Sequence, residues 1–316
     1  MAPGTGFCEE RTCESDLIAH SINGKTCIVT GASSGIGKAS AEQLASSGAR
    51  VVMVCRSRKK GERAKADVET KSGSKSVELM IADYASFASV RAFAEEYPKN
   101  HDSLHVLLNN AGVALPLRSM TIDGFETTFQ VNYLSHFLLT NLLLPILKRD
   151  SPSRIINVSS VAHYGGHLNF DDLQMGKGYG VMRAYSQSKL ALVLFTHELA
   201  RRLQGTGVTA NCLHPGAVAT NIWGDWLGPA AFLGKVTRLF MLSPEKGAKT
   251  QVYLASSPDV EGVTGEYFEF HGKKESSAES YDQRLAERLW DVSAKMVGLS
   301  EGSRVSNDSG PTLEIQ

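Results

Sequence analysis

The pentapeptide Tyr185-Ser186-Gln187-Ser188-Lys189 sets a phenol and an ammonium four residues apart. On a helix such residues share one face, a turn apart. A tyrosine ordinarily titrates near ~10, and a fixed positive charge beside it favours the phenolate and lowers that value. A tyrosine tuned in this way could protonate a carbonyl oxygen, or deprotonate an alcohol, near neutral pH. Taken alone the pair is weak evidence, because an exposed lysine beside a half-buried tyrosine is common on helices. The chemistry needs a second reactant, and upstream residues indicate one.

Thr30-Gly31-Ala32-Ser33-Ser34-Gly35-Ile36-Gly37 follows the apolar run Cys27-Ile28-Val29 and opens a segment with helical spacing. Glycines there permit a tight turn and close approach of backbone to a pyrophosphate, and the helix start offers oriented N–H groups. The spacing is GxxxGxG rather than the commoner GxGxxG. At the end of the next apolar run, Val51 to Cys55, stands Arg56. An acid at this place would grip the bare ribose of NAD, whereas an arginine suits the extra phosphate of NADP. Lys38 and the cluster Arg58, Lys59, Lys60 are close enough in sequence to add charge, or are simply a solvated helix face. Asp83 and Tyr84 after the third run, and Asn109-Asn110-Ala111-Gly112 after the fourth, fall where ligands bind in doubly wound sheets.

The elements that must hold these residues alternate. Short apolar or β-branched runs at Thr26–Thr30, 50–54, Val77–Ile81, Val106–Asn109, 154–158, 208–213 and 267–270 are separated by helical patterns. This predicts a single α/β domain, with a mostly parallel sheet of about seven strands and helices on both faces. The domain spans residues 24–302, after an extension at 1–23 and before a polar, aperiodic tail at 303–316. Lys+Arg 33 against Asp+Glu 33 leaves no field to draw nucleic acid or acidic lipid. The longest greasy run, Phe137 to Leu147, is broken by Thr140, Asn141 and Pro145 and is short of the ~20 residues of a span. No secretory signal is expected, and a soluble cytoplasmic protein is. Five cysteines without a CxxC pair read as free thiols, and no histidine spacing suggests a metal site.

Together, TGASSGIG, NNAG, Asn132 within Val131-Asn132-Tyr133, Ser160 closing IINVSS, YSQSK, and His214-Pro215-Gly216 followed by Val218 and Thr220 resemble the short-chain dehydrogenase/reductase family. The resemblance implies a Rossmann fold and a nicotinamide cofactor, which Arg56 narrows to NADP(H). It implies Tyr185 as acid/base, Lys189 as tuner of that tyrosine and holder of the nicotinamide ribose, and Ser160 as partner of the substrate oxygen. Asn132 would support a relay water. Ser159 competes for the serine role, though the family favours the second serine of such a pair. The cofactor would lie along Gly31, Ser33, Ser34, Gly35, Ile36, Gly37, Arg56, Asp83, Tyr84, Asn110, Ala111, Gly112, Pro215, Gly216, Val218 and Thr220.

The long segment between Ser160 and Tyr185, the run His167 to Leu173, and Glu198-Leu199-Ala200-Arg201-Arg202 are similar to the retinol dehydrogenase branch. His163, Tyr164, Tyr179, Met182, Trp223 and Trp226 are candidates to line the substrate pocket. A rim so aromatic suits a lipophilic aldehyde, ketone or alcohol, with Trp223 and Trp226 alternatively packing a small lid. The family pairs two copies through the helices around 137–147 and 190–203, giving a homodimer, although a buried core explains those faces almost as well. A catalytically idle NADP-binding scaffold is the competing functional class. It would be free to lose Asn132, Ser160, Tyr185 and Lys189, all of which are present.

Overall fold

A computed structural model describes residues 22–218 and 242–299. Eight strands form one sheet in the order β3-β2-β1-β4-β5-β6-β7-β8. They are β1 (Thr26–Thr30), β2 (Arg50–Cys55), β3 (Val77–Ile81), β4 (Val106–Asn109), β5 (Ser153–Val158), β6 (Val208–His214), β7 (Tyr267–Glu269) and β8 (Gly272–Lys274). All neighbours pair parallel except β7 with β8. The eighth strand is absent from the expectation because Gly272–Lys274 is exposed throughout and has no apolar pattern. Phe270 and His271 adopt φ of 47° and 68°, and this left-handed pair ends β7 at Glu269 and turns the chain back.

Among the described residues, seven longer helices cover the two faces: α1 (Gly35–Ser46), α2 (Arg58–Ser72), α3 (Phe87–Asn100), α4 (Ser135–Arg149), α5 (Val181–Arg202), α6 (Pro244–Ser256) and α7 (Gln283–Met296). The strands are buried on both sides, so alternate residues feed two cores. Ile28, Val52, Leu107 and Ile155 pack on the side of α3, α4, α5 and α7. Val29, Met53, Leu108 and Ile156 pack on the side of α1, α2 and α6. Sequence signals start the helices: Ser86 Oγ accepts from Ser89 N, Asp282 from Leu285 N, and Pro244 occupies a first-turn position where its missing N–H costs nothing.

Ile22, assigned to the extension by its position, is buried in the core, and Gly24 N–H bonds to Gly48 O, so the domain already includes these residues. Helix α4 runs through Pro145 to Arg149. Its apolar face and that of α5 are covered within the chain, with Leu138, Leu139, Leu190, Leu194 and Phe195 all in the larger core. A single chain therefore accounts for them without a partner copy. No helix among the described residues is long and apolar enough to cross a membrane.

Candidate active site

Strand order reverses between β1 and β4, and a doubly wound sheet opens a crevice at the carboxyl ends of such a pair. The crevice here is a cavity of about 650 Å3. That lies within the roughly 300–1,000 Å3 usual for ligand sites. Gly31, Ser33, Ser34, Gly35, Ile36, Gly37, Arg56, Asp83 and Tyr84 line one part of it. Asn110, Ala111, Gly112, Ser160, Met182, Tyr185, Lys189, Pro215, Gly216 and Val218 line the rest.

The glycine turn has the shape a phosphate cradle needs. Gly31 and Gly35 sit at φ of 68° and 58°, in the left-handed region. A Cβ on Gly31 would come 2.8 Å from Ala111 Cα, and one on Gly37 would come 2.7 Å from Gly31 O and also strike the Asn110 amide. The Ser34 side chain does not cap α1, so the first N–H groups of that helix are left to whatever enters the cavity. The turn is fastened to the next strand by Thr30, whose Oγ1 accepts from Asn110 N at 2.8 Å and from Ala111 N at 3.0 Å. Asn110 Nδ2 donates back to Thr30 O at 2.8 Å, and Gln251 on α6 donates to Asn110 Oδ1 at 3.3 Å. The bracing roles of Thr30 and Gln251 are missing from the sequence reading: a threonine that closes a strand gives no signal beyond β propensity, and Gln251 is remote in sequence. Their bonds show that Asn110 braces the turn with its side chain while its backbone borders the cavity. Asp83 likewise spends Oδ1 on its own loop, accepting from Ala85 N at 3.0 Å.

Around the turn the cations divide. Arg56 is exposed and lines the cavity. Arg58, Lys59 and Lys60 are exposed in the first turn of α2, which contains no acid. Lys38 instead pairs with Asp67 on α2 and is not among the lining residues.

At the other end stand the acid/base candidates. Helix α5 buries Tyr185 and Lys189 on one face, with the ammonium 5.5 Å from the phenol ring centroid. Lys189 Nζ donates to Val158 O at 2.8 Å, which ties α5 to the end of β5. Burial draws the Lys189 pKa down to about 8. Burial also pushes the Tyr185 hydroxyl up to about 12, against a hydrogen bond with the Ser160 side chain that pulls it down. The expected lowering of Tyr185 is therefore not met: removing a phenolate from water costs more than the Ser160 hydrogen bond returns. The two serines separate cleanly: Ser159 is buried and donates to Lys189 O at 2.9 Å, whereas Ser160 faces Tyr185.

Asn132 lies in a π-helical turn, Gln130–Leu134, between a short helical turn at Thr127–Phe129 and α4. Such one-turn widenings recur at functional sites because they redirect a side chain. Here Asn132 Oδ1 accepts from Val113 N at 2.7 Å, and its Nδ2 donates to Val113 O at 2.9 Å and Ser188 Oγ at 3.0 Å. Gly112 lies just above: a Cβ there would meet Asn132 Oδ1 at 3.3 Å and Lys189 Nζ at 3.7 Å.

The proposed substrate-lining set is brought together only in part. Met182, 49% exposed, lines the cavity mouth. His163 is fully buried behind the serine, Tyr164 donates its hydroxyl to Glu275 O, and Tyr179 donates to Leu115 O at 2.7 Å. None of these three is among the lining residues, while Leu115, Val113 and Val161 are. Trp223, Trp226 and Thr220 lie outside the described residues.

An alternating α/β sheet with a glycine-rich first turn, and a Ser-Tyr-Lys set facing the same crevice, defines a dinucleotide-dependent oxidoreductase of the short-chain type. The short chain dehydrogenase family model matches residues 25–228, and the chain belongs to that family. It is 45% identical over 294 residues to human retinol dehydrogenase 14, covering 88% of each chain. It is 47% identical over 287 residues to mouse retinol dehydrogenase 13, covering 88% of this chain and 85% of that one. Among solved structures, an uncharacterized protein from Mycobacterium paratuberculosis superposes with a TM-score of 0.72 at 33% identity, over 89% of this chain and 97% of that one. Pseudomonas aeruginosa RhlG, solved as an active-site complex with NADP, gives a TM-score of 0.64 at 27% identity, over 78% and 95%. The protein is thus a retinol dehydrogenase-like member of the family, an oxidoreductase acting on CH–OH groups with a nicotinamide cofactor.

Proposed function

We propose that the chain interconverts a lipophilic aldehyde or ketone and its alcohol with NADP(H), using Tyr185 as the proton donor and acceptor. The observation that carries the cofactor choice is Arg56 on the cavity wall where an NAD-specific site would have an acid. Arg58, Lys59 and Lys60 strengthen it. Cations at the N-terminal end of a helix work against its dipole, and a 2′-phosphate held there would offset the conflict.

When bound, the cofactor supplies or accepts the hydride, and the protein's own groups handle the proton and the geometry. The glycine turn and the α1 N–H groups would hold the pyrophosphate, and Arg56 the 2′-phosphate. Lys189 uses one N–H on Val158 O and keeps two for the nicotinamide ribose and the Tyr185 side. In reduction, Tyr185 Oη gives its proton to the substrate oxygen while Ser160 Oγ donates a hydrogen bond to the same atom. In oxidation the proton returns along the same path. Asn132 holds the Val113 loop against Ser188 and offers the place for a relay water behind Lys189. The apolar mouth, with Val113, Leu115, Val161 and Met182, excludes water and accepts a hydrophobic body. The family name shared by the human and mouse relatives points the same way, towards retinal-like compounds.

The test is a series of straight-chain aldehydes of rising length, assayed with NADPH and with NADH. Each buried methylene should add up to ~0.8 kcal/mol to transition-state binding until the pocket fills. NADPH should win in kcat/KM by the ~1.5–3 kcal/mol of charged hydrogen bonds, and Arg56→Asp should narrow or reverse the preference. Equal use of both cofactors, or faster turnover of short hydrophilic aldehydes, would sink the proposal.

A further inference from the structure

His163 is buried in full three residues beyond the catalytic serine, at a position the chemistry above leaves without a task. Ser160 caps a tight turn, Val161–Gly165, with its Oγ accepting from Ala162 N at 3.2 Å. The Ser160 carbonyl accepts twice from His163, from the backbone N–H at 3.0 Å and from ring Nδ1–H at 2.6 Å. The other ring nitrogen, Nε2, accepts from Ser277 N–H at 3.1 Å. One donor and one acceptor are what a neutral imidazole offers, so the ring is fixed in tautomer and orientation. Tyr164 and Tyr267 pack on it, with ring centroids at 4.1 and 4.8 Å.

The segment on the far side is tied to the catalytic elements more than once. Tyr164 donates its hydroxyl to Glu275 O, and Tyr281 Oη accepts from Ser276 N at 3.0 Å. His197, on the helix that carries Tyr185 and Lys189, donates from Nδ1 to Ser280 O at 2.8 Å and stacks on Tyr281. The turn itself lies on α5 so closely that a Cβ at Gly166 would come 2.6 Å from Ser186 O. The serine turn is therefore gripped between α5 and the chain from Glu275 to Tyr281.

We propose that His163 is a positioning residue: through the Ser160 carbonyl it sets where the serine hydroxyl stands relative to Tyr185, with Glu275 to Tyr281 as its abutment. The proposal rests on Ser160 and Tyr185 acting as described. A shift of about 1 Å in a reacting group costs up to ~100-fold in rate. His163→Phe keeps a ring between the two tyrosines but carries neither donor nor acceptor, so kcat should fall on the order of 10–100-fold with KM and NADPH affinity little changed. His163→Gln restores an N–H for Ser160 O and a carbonyl for Ser277 N–H, and should recover most of the loss. In a Ser160→Ala background His163→Phe should cost nothing more, because the effect runs through the serine. Equal losses in both backgrounds, or a lowered melting temperature with unchanged kcat, would overturn the proposal. Should His163→Phe not fold, Tyr164→Phe tests the same grip by removing one exposed hydroxyl. A several-fold lower kcat is then expected, and an unchanged one overturns the proposal. A Tyr185→Phe protein with full turnover would instead show that the reading of the reaction is at fault.

Discussion

Burying an ammonium costs free energy, and Lys189 shows the cost in a pKa drawn down to about 8. Its one carbonyl partner, Val158 O, does not offset the lost hydration, so the charge is held at neutral pH under strain that a phenolate or a ribose hydroxyl nearby would relieve. Tyr185, pushed up to about 12, stays protonated over the whole physiological range, the form from which a proton is given. Donation is the step reduction needs. Tyr185→Phe removes the proton and leaves the ring, so NADPH binding should survive while reductive turnover falls by ~10²–10⁴. Ser160→Ala should also lose rate, because the hydrogen bond to the reacting oxygen disappears. Stopped-flow turnover beside fluorescence titration of NADPH separates the two effects. Turnover of the phenylalanine variant within a few-fold of the parent would refute the assignment.

Elements add what residues alone do not supply, namely the fixed approach of one backbone to another. Gly37 is the clearest instance, because a methyl there would press on Gly31 O and on the Asn110 amide that holds the turn. Overpacking of this kind costs about 1–3 kcal/mol, and here it falls on the cradle rather than on the core. Gly37→Ala should keep its circular dichroism and weaken NADPH binding roughly tenfold or more. Unchanged affinity would mean that the turn is loose enough to make room. The cradle was legible in the sequence because glycines mark strained backbone directly, and the strands because residues buried on both faces read as short apolar runs. The Tyr185 and Lys189 pair was legible because helical spacing is local. What was not legible depends on contacts far apart in sequence. Ser277 on His163, Gln251 on Asn110 and the turn of Phe270 and His271 into β8 leave no local period. His163 and Tyr179 show the opposite failure, since their aromatic character suggested a pocket wall while their polar atoms were already committed to Ser160 O, Ser277 N and Leu115 O.

At the scale of the whole molecule, buried histidines link stability to pH, His136 and His214 most strongly. His136 is fully buried against Tyr84, its Nε2 2.8 Å from Ala111 O, and burial lowers its pKa to about 3. His214 closes β6 at the cavity wall with its pKa lowered to about 4, burial again being the main cause. Both folded values lie below the ordinary 6.5. The unfolded chain therefore binds more protons than the folded one between those limits, and stability falls as pH drops below 6.5. At pH 5 each ring contributes a loss of about 2 kcal/mol. Asp150 and Asp172, whose carboxylates are held below their usual range by Arg149 and by the Gly176 and Lys177 N–H groups, extend the loss below pH 4. Buried Glu126, raised by burial, opposes it in part. His136→Gln keeps an N–H for Ala111 O without a titrating ring. Urea unfolding at pH 7 and pH 5 should show a clear acid loss in the parent and a loss smaller by about 2 kcal/mol in the variant. Identical acid losses in both proteins would show that His136 takes up its proton in the folded state, and that the polar groups around it, not burial, set its charge.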